Sequence, residues 1–315
     1  MGKLVGLVNA RMYASPDETK NAISQALSLI KFQPKNSIKT IAIKPNLCYY
    51  RGPSTGETTD PRVVGGIIDY LREHYGSDLD IKVVEADATA MKTKYAFQVL
   101  GYTKLAKEKK VELLNLSKAV LEEKKSNVNG QELIFQVPRL LLKSDLFINV
   151  PKLKIMLPTT ITCALKNLFG CIGYPKKIVY HPHLEEAIVG INKILRPHLT
   201  VVDGVVALGK FPVNLDLLMA SEDPFSIDWI AARIMGCNPA KIKHLKIAMK
   251  SGVGNPNGIK VLGEDMEKFR KLFPRVHLLT SKIVRSIQFN LFRLYSKMVK
   301  DTVPSMLEEH AYMHA

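Results

Sequence analysis

Lys44-Pro45-Asn46, Pro151-Lys152-Leu153-Lys154 and Asp203-Gly204 share one design, because each follows directly on a short apolar run: Ile41–Ile43, Leu146–Val150 and Leu199–Val202. Runs of this length read as buried strands, so they deliver cationic and polar side chains together at strand carboxyl ends. In open α/β sheets ligands bind outside those ends. The three segments are therefore expected to meet in one crevice, although each alone is also explained by a loop residue with a structural hydrogen bond. A fourth segment, Thr159-Thr160-Ile161-Thr162, leads into a helix that carries Lys166-Asn167 before Phe169-Gly170 ends it. Backbone N–H groups at a helix start, threonine hydroxyls and the upstream lysines are the parts of an anion cradle. The competing reading has the threonines capping the helix and Lys166 solvated.

These residue types suggest roles on a small phosphate- or carboxylate-bearing substrate. Lys152, Lys154 and Lys166 would neutralise the anion, while Asn46, Asn167, Thr160 and Thr162 would orient it. Lys44 or His181 would move a proton, and Asp203 or Asp228 would serve as counter-base. Asp228 stands out because it falls inside a helix among Ile227, Trp229 and Ile230, whereas Asp60 and Asp223 each precede a proline and read as helix caps. His181, Asp203 and Asp228 are the metal set that these residues allow, but His181-Pro182-His183 matches no established ligand spacing, so no metal site is assigned. Neither phosphate-loop nor G-x-G-x-x-G spacing occurs, and no cofactor is identified. Cys48 beside Asn46 could be a nucleophile or a core thiol.

The elements that must position these groups alternate. Leu4–Val8 reads as a strand, and Ser15-Pro16-Asp17-Glu18 opens a helix to about Ile30 with a capping box. Thr40–Ile43, a helix from Pro61 with Val63, Val64, Ile67, Ile68 and Leu71 on one face, and Ile81–Val84 continue a β-α-β-α-β order. That order favours a parallel sheet. Ala119–Glu122 and Leu133–Val137 flank Asn129-Gly130 and predict an antiparallel hairpin insertion. After the Leu146–Val150 strand come helices over Leu184–Leu195, Pro224–Met235 and Ala240–Met249, with strands at Leu199–Val202 and Leu217–Ala220 between the first two. The fold class is α/β: a mostly parallel central sheet flanked by helices, with a β-hairpin insertion and a C-terminal amphipathic helix. Residues 1–277 form the α/β domain, with room for two lobes meeting near 138–150, and 278–315 form a basic helix and tail.

With 46% hydrophobic and 23% charged residues in 315, the chain is not of the disordered class. Its net charge of +16 is unevenly spread: residues 139–177 hold seven Lys/Arg and only Asp145, and 229–263 hold six and no acid. These 74 residues carry +12 of the total, which points to an anionic partner. A small anionic ligand is the first reading. Nucleic acid is second, since aromatic residues are not interleaved with the basic clusters. Leu279, Ile283, Ile287, Leu291, Leu294 and Met298 recur at helical spacing among Lys282, Arg285, Arg293, Lys297 and Lys300. That segment, 278–300, suits peripheral membrane contact, docking on its own domain, or a homo-oligomer. The four cysteines form no C-x-x-C pair, which argues against an iron–sulfur cluster or zinc ribbon. No apolar run is long enough to span a bilayer and no leader pattern opens the chain, so a cytoplasmic location is the default.

Taken in order, Lys44-Pro45-Asn46, Thr59-Asp60-Pro61, Ile148 through Lys154, Thr162, Lys166-Asn167-Leu168-Phe169-Gly170, His181, Val202-Asp203-Gly204, Ser221-Glu222-Asp223-Pro224 with Asp228, and Gly252-Val253-Gly254 resemble the DUF362 family. The resemblance runs from about Ile41 to Gly263. It implies no agreed reaction, and the cysteine runs of the ferredoxin-like module that some members carry are absent. Where the family usually follows its second lysine with Thr-His, this chain has Ile155-Met156. If that histidine is the family's acid, base or ligand, an inactive relative becomes a third reading. After Asp-Gly the family's acidic G-x-G-P turn is replaced by Leu208-Gly209-Lys210-Phe211-Pro212, bulkier and more positive.

Overall fold

A computed structural model describes residues 3–11, 14–34, 38–89, 91–156 and 159–274. The expected C-terminal helix and tail, 278–315, lie outside the described residues. In chain order the strands are β1 (Lys3–Asn9), β2 (Thr40–Pro45), β3 (Asp80–Glu85), β4 (Glu112–Asn115), β5 (Leu121–Val128), β6 (Gln131–Pro138), β7 (Leu146–Val150), β8 (Lys152–Ile155), β9 (Ile161–Thr162), β10 (Leu199–Leu208), β11 (Pro212–Ser221) and β12 (Ile259–Gly263).

Among the described residues all strands but β5 and β6 join one sheet, ordered β12-β1-β11-β10-β7-β2-β3-β4, with β8 on β10 and β9 on β8. The run β10-β7-β2-β3-β4 is parallel. Its strands are bought into register by the alternating strand–helix order of the sequence. β11 departs from that pattern: it returns antiparallel from β10 and inserts between β10 and β1. The result is a mostly parallel mixed sheet, an α/β fold.

Period-two alternation sorts the apolar side chains onto two faces. In β11, Leu217 and Met219 face one core while Leu218 and Ala220 face the other. The first core lies under the helices Leu184–Ile194, Pro224–Ile234 and Lys243–Lys250, through Ile188, Ile227 and Leu245. The second lies under Pro16–Leu29 and Pro61–Tyr75, through Ile23, Leu27, Val64 and Ile68. Both of those helices start as their sequences dictate. Ser15 and Glu18 form a reciprocal capping box, and the Asp60 side chain accepts from Arg62 N–H. β5 and β6 pair alone, joined by Asn129 and Gly130 with φ of 53° and 77°. Two consecutive positive φ values are what the favoured two-residue hairpin turn requires.

Two expectations are corrected. Lys152-Leu153-Lys154 is a strand rather than a loop, and β10 does not end at Asp203 but continues to Leu208. The two departures have one cause: Asp203 and Lys152 are register partners across β10 and β8. Each charge makes the other tolerable inside a sheet.

Candidate functional site

Six of the residues singled out above, Lys44, Asn46, Lys152, Lys154, Asn167 and Asp203, gather in one buried polar cluster at the carboxyl ends of β2 and β7. Lys44 and Lys152 are 1% exposed and Lys154 0%. They are internal cations rather than fingers reaching into solvent.

Lys44 Nζ donates to Glu85 Oε2 at 2.7 Å and to the Pro45 carbonyl at 2.6 Å. The same Glu85 oxygen accepts Leu47 N–H at 3.0 Å, and Oε1 accepts Ala86 N–H, so the carboxylate pins the chain as it leaves β2. Lys152 Nζ donates to Asp203 Oδ2 at 2.8 Å. Asp203 also accepts Asp60 N–H on Oδ2 and Val205 N–H on Oδ1. A carboxylate so saturated ties β8, β10 and the start of the Pro61–Tyr75 helix together.

Lys154 is different. Its Nζ donates to Asn46 Oδ1 at 2.8 Å, to the Glu57 carbonyl at 2.6 Å and to Cys48 Sγ at 2.9 Å, and among the described residues it makes no ion pair. From Asn46 a chain of side-chain amides runs inward: Asn46 Nδ2 to Asn167 Oδ1 at 2.8 Å, Asn167 Nδ2 to Asn149 Oδ1 at 2.8 Å, and Asn149 Nδ2 to the Ala164 carbonyl at 3.1 Å. Each amide is fixed in orientation by its neighbours.

Thr162 is buried, whereas Lys166 and His181 are half-buried. Lys166 Nζ donates to Thr162 Oγ1 at 3.0 Å, and the His181 ring lies 6.4 Å from that of Phe169. Burial, with the Lys166 charge nearby, pushes the His181 pKa down to about 4, so its imidazole is neutral at physiological pH. Thr160 directly precedes β9 with φ of 71°, its carbonyl accepting Met156 N–H.

Asp228 lies elsewhere. Its two oxygens accept Ala164 N–H at 2.6 Å and Leu165 N–H at 3.2 Å, the first turn of the Ala164–Phe169 helix. The helix start expected to cradle a foreign anion already holds an internal carboxylate. His244, fully buried, stands 3.8 Å from Asp228 Oδ2. Among the described residues no group of three or more His, Cys, Asp or Glu side chains could hold a metal ion, so the set His181, Asp203 and Asp228 is not assembled.

Every part of this cluster lies between β2 and the helix after β11. A family model described as "Domain of unknown function (DUF362)" matches residues 41–233, the stretch that contains it. The chain belongs to the DUF362 family. A relative, the thylakoid-associated protein sll1697 of Synechocystis sp., is 27% identical over 237 residues, 70% of each chain. Among solved structures, the lactate racemase apoprotein from Thermoanaerobacterium thermosaccharolyticum is similar at 11% identity and a TM-score of 0.41, over 74% of this chain and 57% of that one. The chain thus spans little more than half of that protein's length.

Two members of the DUF362 cluster escaped the sequence reading. Glu85 ends β3 as Lys44 and Pro45 end β2, with Asn46 next in the chain; the strand-end rule, applied to Ile81–Val84, finds it. Lys177 is 5% exposed, and its Nζ donates to the Asp87 carbonyl. Burial, opposed by Glu85 and reinforced by Lys44, lowers its pKa to about 8. It opens a proline-bearing 3-10 helix, Lys177–His183, whose sequence has no periodicity to mark it.

Proposed function

We propose that this DUF362 protein binds a small anionic molecule, phosphate or carboxylate, at the carboxyl edge of its sheet, and acts on it as an enzyme. The observation that carries this reading is Lys154, a fully buried ammonium that, among the described residues, is held by an amide oxygen, a backbone carbonyl and a cysteine sulfur and by no carboxylate. A buried charge without a counter-charge is costly, and an incoming anion would supply one. The cluster as a whole leans the same way: Lys44, Lys152, Lys154 and Lys177 are buried beside Glu85 and Asp203. In this reading Lys154 and Lys166 neutralise the anion, and Asn46 and Asn167 orient it. Lys177, whose pKa of about 8 keeps part of it neutral, exchanges protons with help from the Lys44–Glu85 pair or from His181. Lys152 and Asp203 brace the site.

Calorimetric titration with inorganic phosphate and with malonate tests the reading. Saturable binding to the intact chain is expected, weakened about tenfold, or ~1.4 kcal/mol, by Lys166→Gln. No saturable binding of either probe would reject it.

A second reading, peripheral contact with an anionic membrane surface, is favoured by the thylakoid association that the Synechocystis relative is named for. The exposed Lys241, Lys243, Lys246 and Lys250 support it, as does the basic sequence of 278–300. Among the described residues no helix is long and apolar enough to cross a membrane. Flotation with phosphatidylglycerol vesicles at low and high salt tests it: binding that falls with salt is expected, and none at low salt rejects it. Under either reading the free cysteines suit a reducing, cytoplasmic setting.

A further inference from the structure

Among the described residues, Cys48 is the one side chain hydrogen-bonded to Lys154 Nζ that the binding scheme leaves without a role. Its Sγ lies 2.9 Å from Lys154 Nζ, 3.6 Å from Asn46 Oδ1 and 3.9 Å from the Glu57 carbonyl. The other thiols differ from it. Cys163 and Cys171 are fully buried, and burial pushes the Cys171 thiol up to about 12 and that of Cys163 well above its usual range. Cys237 is half-buried against the Met235 carbonyl. Cys48 combines partial exposure, which admits a small oxidant, with an amine already in contact with its sulfur.

We propose that Cys48 and Lys154 form an oxidative modification site, at which a peroxide converts the thiol to a sulfenic acid and Lys154 Nζ then closes a sulfenamide cross-link. The inference rests on the proposed anion site and names its regulation. In the first step the peroxide O–O bond breaks. One oxygen is inserted between sulfur and hydrogen and the other leaves as water, so sulfur loses two electrons and the peroxide gains them. In the second step the Nζ lone pair attacks sulfur as the S–O bond breaks. The ammonium gives up two protons, one leaving with the hydroxyl as water and one passing to solvent. No net electron transfer accompanies this condensation. A thiol reverses the link by attacking sulfur, which frees the amine and leaves a mixed disulfide for a second thiol to reduce.

The consequence for binding follows from charge. The sulfenamide nitrogen is not cationic, so the cluster loses a fully buried ammonium that, among the described residues, has no carboxylate partner. The link also ties the chain after β2 to β8, fixing Asn46 between them. Oxidation should therefore switch anion binding off, and thiol should restore it.

The full chain is treated with hydrogen peroxide, analysed by intact mass and peptide mapping, and titrated with inorganic phosphate before oxidation, after it, and after dithiothreitol. The expected result is a mass lower by two hydrogen atoms and a peptide pair joined through Cys48 and Lys154. Phosphate affinity should fall at least about tenfold and recover with dithiothreitol. Cys48→Ser, a near-isosteric change at a half-buried position, should abolish the link, as should Lys154→Met. Oxygen addition at Cys48 without the joined peptides, a disulfide between chains, or a link that persists in Cys48→Ser would overturn the proposal. The two ideas fail separately: a link in a chain that never binds phosphate sinks the anion reading alone, and phosphate binding without a link sinks this one.

Discussion

Lys152 Nζ lies 2.8 Å from Asp203 Oδ2 across the register that joins β8 to β10, and neither side chain is more than 1% exposed. From the sequence alone Lys152 belongs to the substrate and Asp203 to the chemistry. The geometry gives them to each other. Asp203 spends its remaining capacity on the N–H groups of Asp60 and Val205, so the pair fastens two strands to a helix start.

Removing one partner of such a pair strands a charge in the interior. Lys152→Met should therefore lower the unfolding free energy by roughly 3–5 kcal/mol. The double change Lys152→Met with Asp203→Asn, which removes both charges while keeping an acceptor oxygen for the Asp60 or Val205 N–H, should recover part of that loss. Urea denaturation checks both. A single variant as stable as the parent would return Lys152 to the ligand.

Asp228 makes a parallel case. Asp228→Ala leaves the Ala164 and Leu165 N–H groups buried without acceptors, at a cost of about 3 kcal/mol. Asp228→Asn keeps one acceptor oxygen and should lose less. A catalytic base facing the crevice would behave oppositely, with unchanged stability and abolished turnover in the asparagine variant. Thermal unfolding of both variants beside any measured activity separates the two.

His181 carries a pH prediction whose sign is fixed. Its folded pKa, about 4, lies below the usual 6.5, so between those values the unfolded chain binds more protons. Its contribution to stability is present above pH 6.5 and is lost as pH falls towards 4. The His181 imidazole resonances should titrate with a midpoint near 4 by NMR, and Lys166→Gln should move that midpoint upward. A midpoint at 6.5 or above contradicts the burial.

What the sequence made legible was local. Ser15 with Glu18, Asn129 with Gly130, and the polar residues after β2 and β7 are written within a few positions of one another. What it hid was pairing. Asp203 read as the end of a strand because a carboxylate breaks an apolar run, and only a cation on the next strand makes it an interior residue. The acceptor for Ala164 N–H lies 64 residues away at Asp228, so the helix start looked open to a ligand. Glu85 stands at the end of β3 as Lys44 does near the end of β2, and is equally local in the sequence.

Lys177 offers the sharpest test of the cluster's electrostatics, because its charge is held where the protein resists it. Its pKa falls from 10.5 to about 8 chiefly through burial, with Glu85 opposing and Lys44 adding to the fall. Between those values the unfolded chain binds the extra proton, so stability attributable to this lysine rises with pH across the window. Below pH 8 the full penalty applies, on the order of a few kcal/mol at ~1.4 kcal/mol per pKa unit. Lys177→Met removes the titrating group, and other titrations cancel in the difference between the two proteins. The stability of the parent, taken relative to the variant, should climb between pH 8 and pH 10 in urea denaturation. A difference flat across that range would mean that Lys177 keeps its ordinary proton affinity, and it could then no longer be given the proton-exchange role.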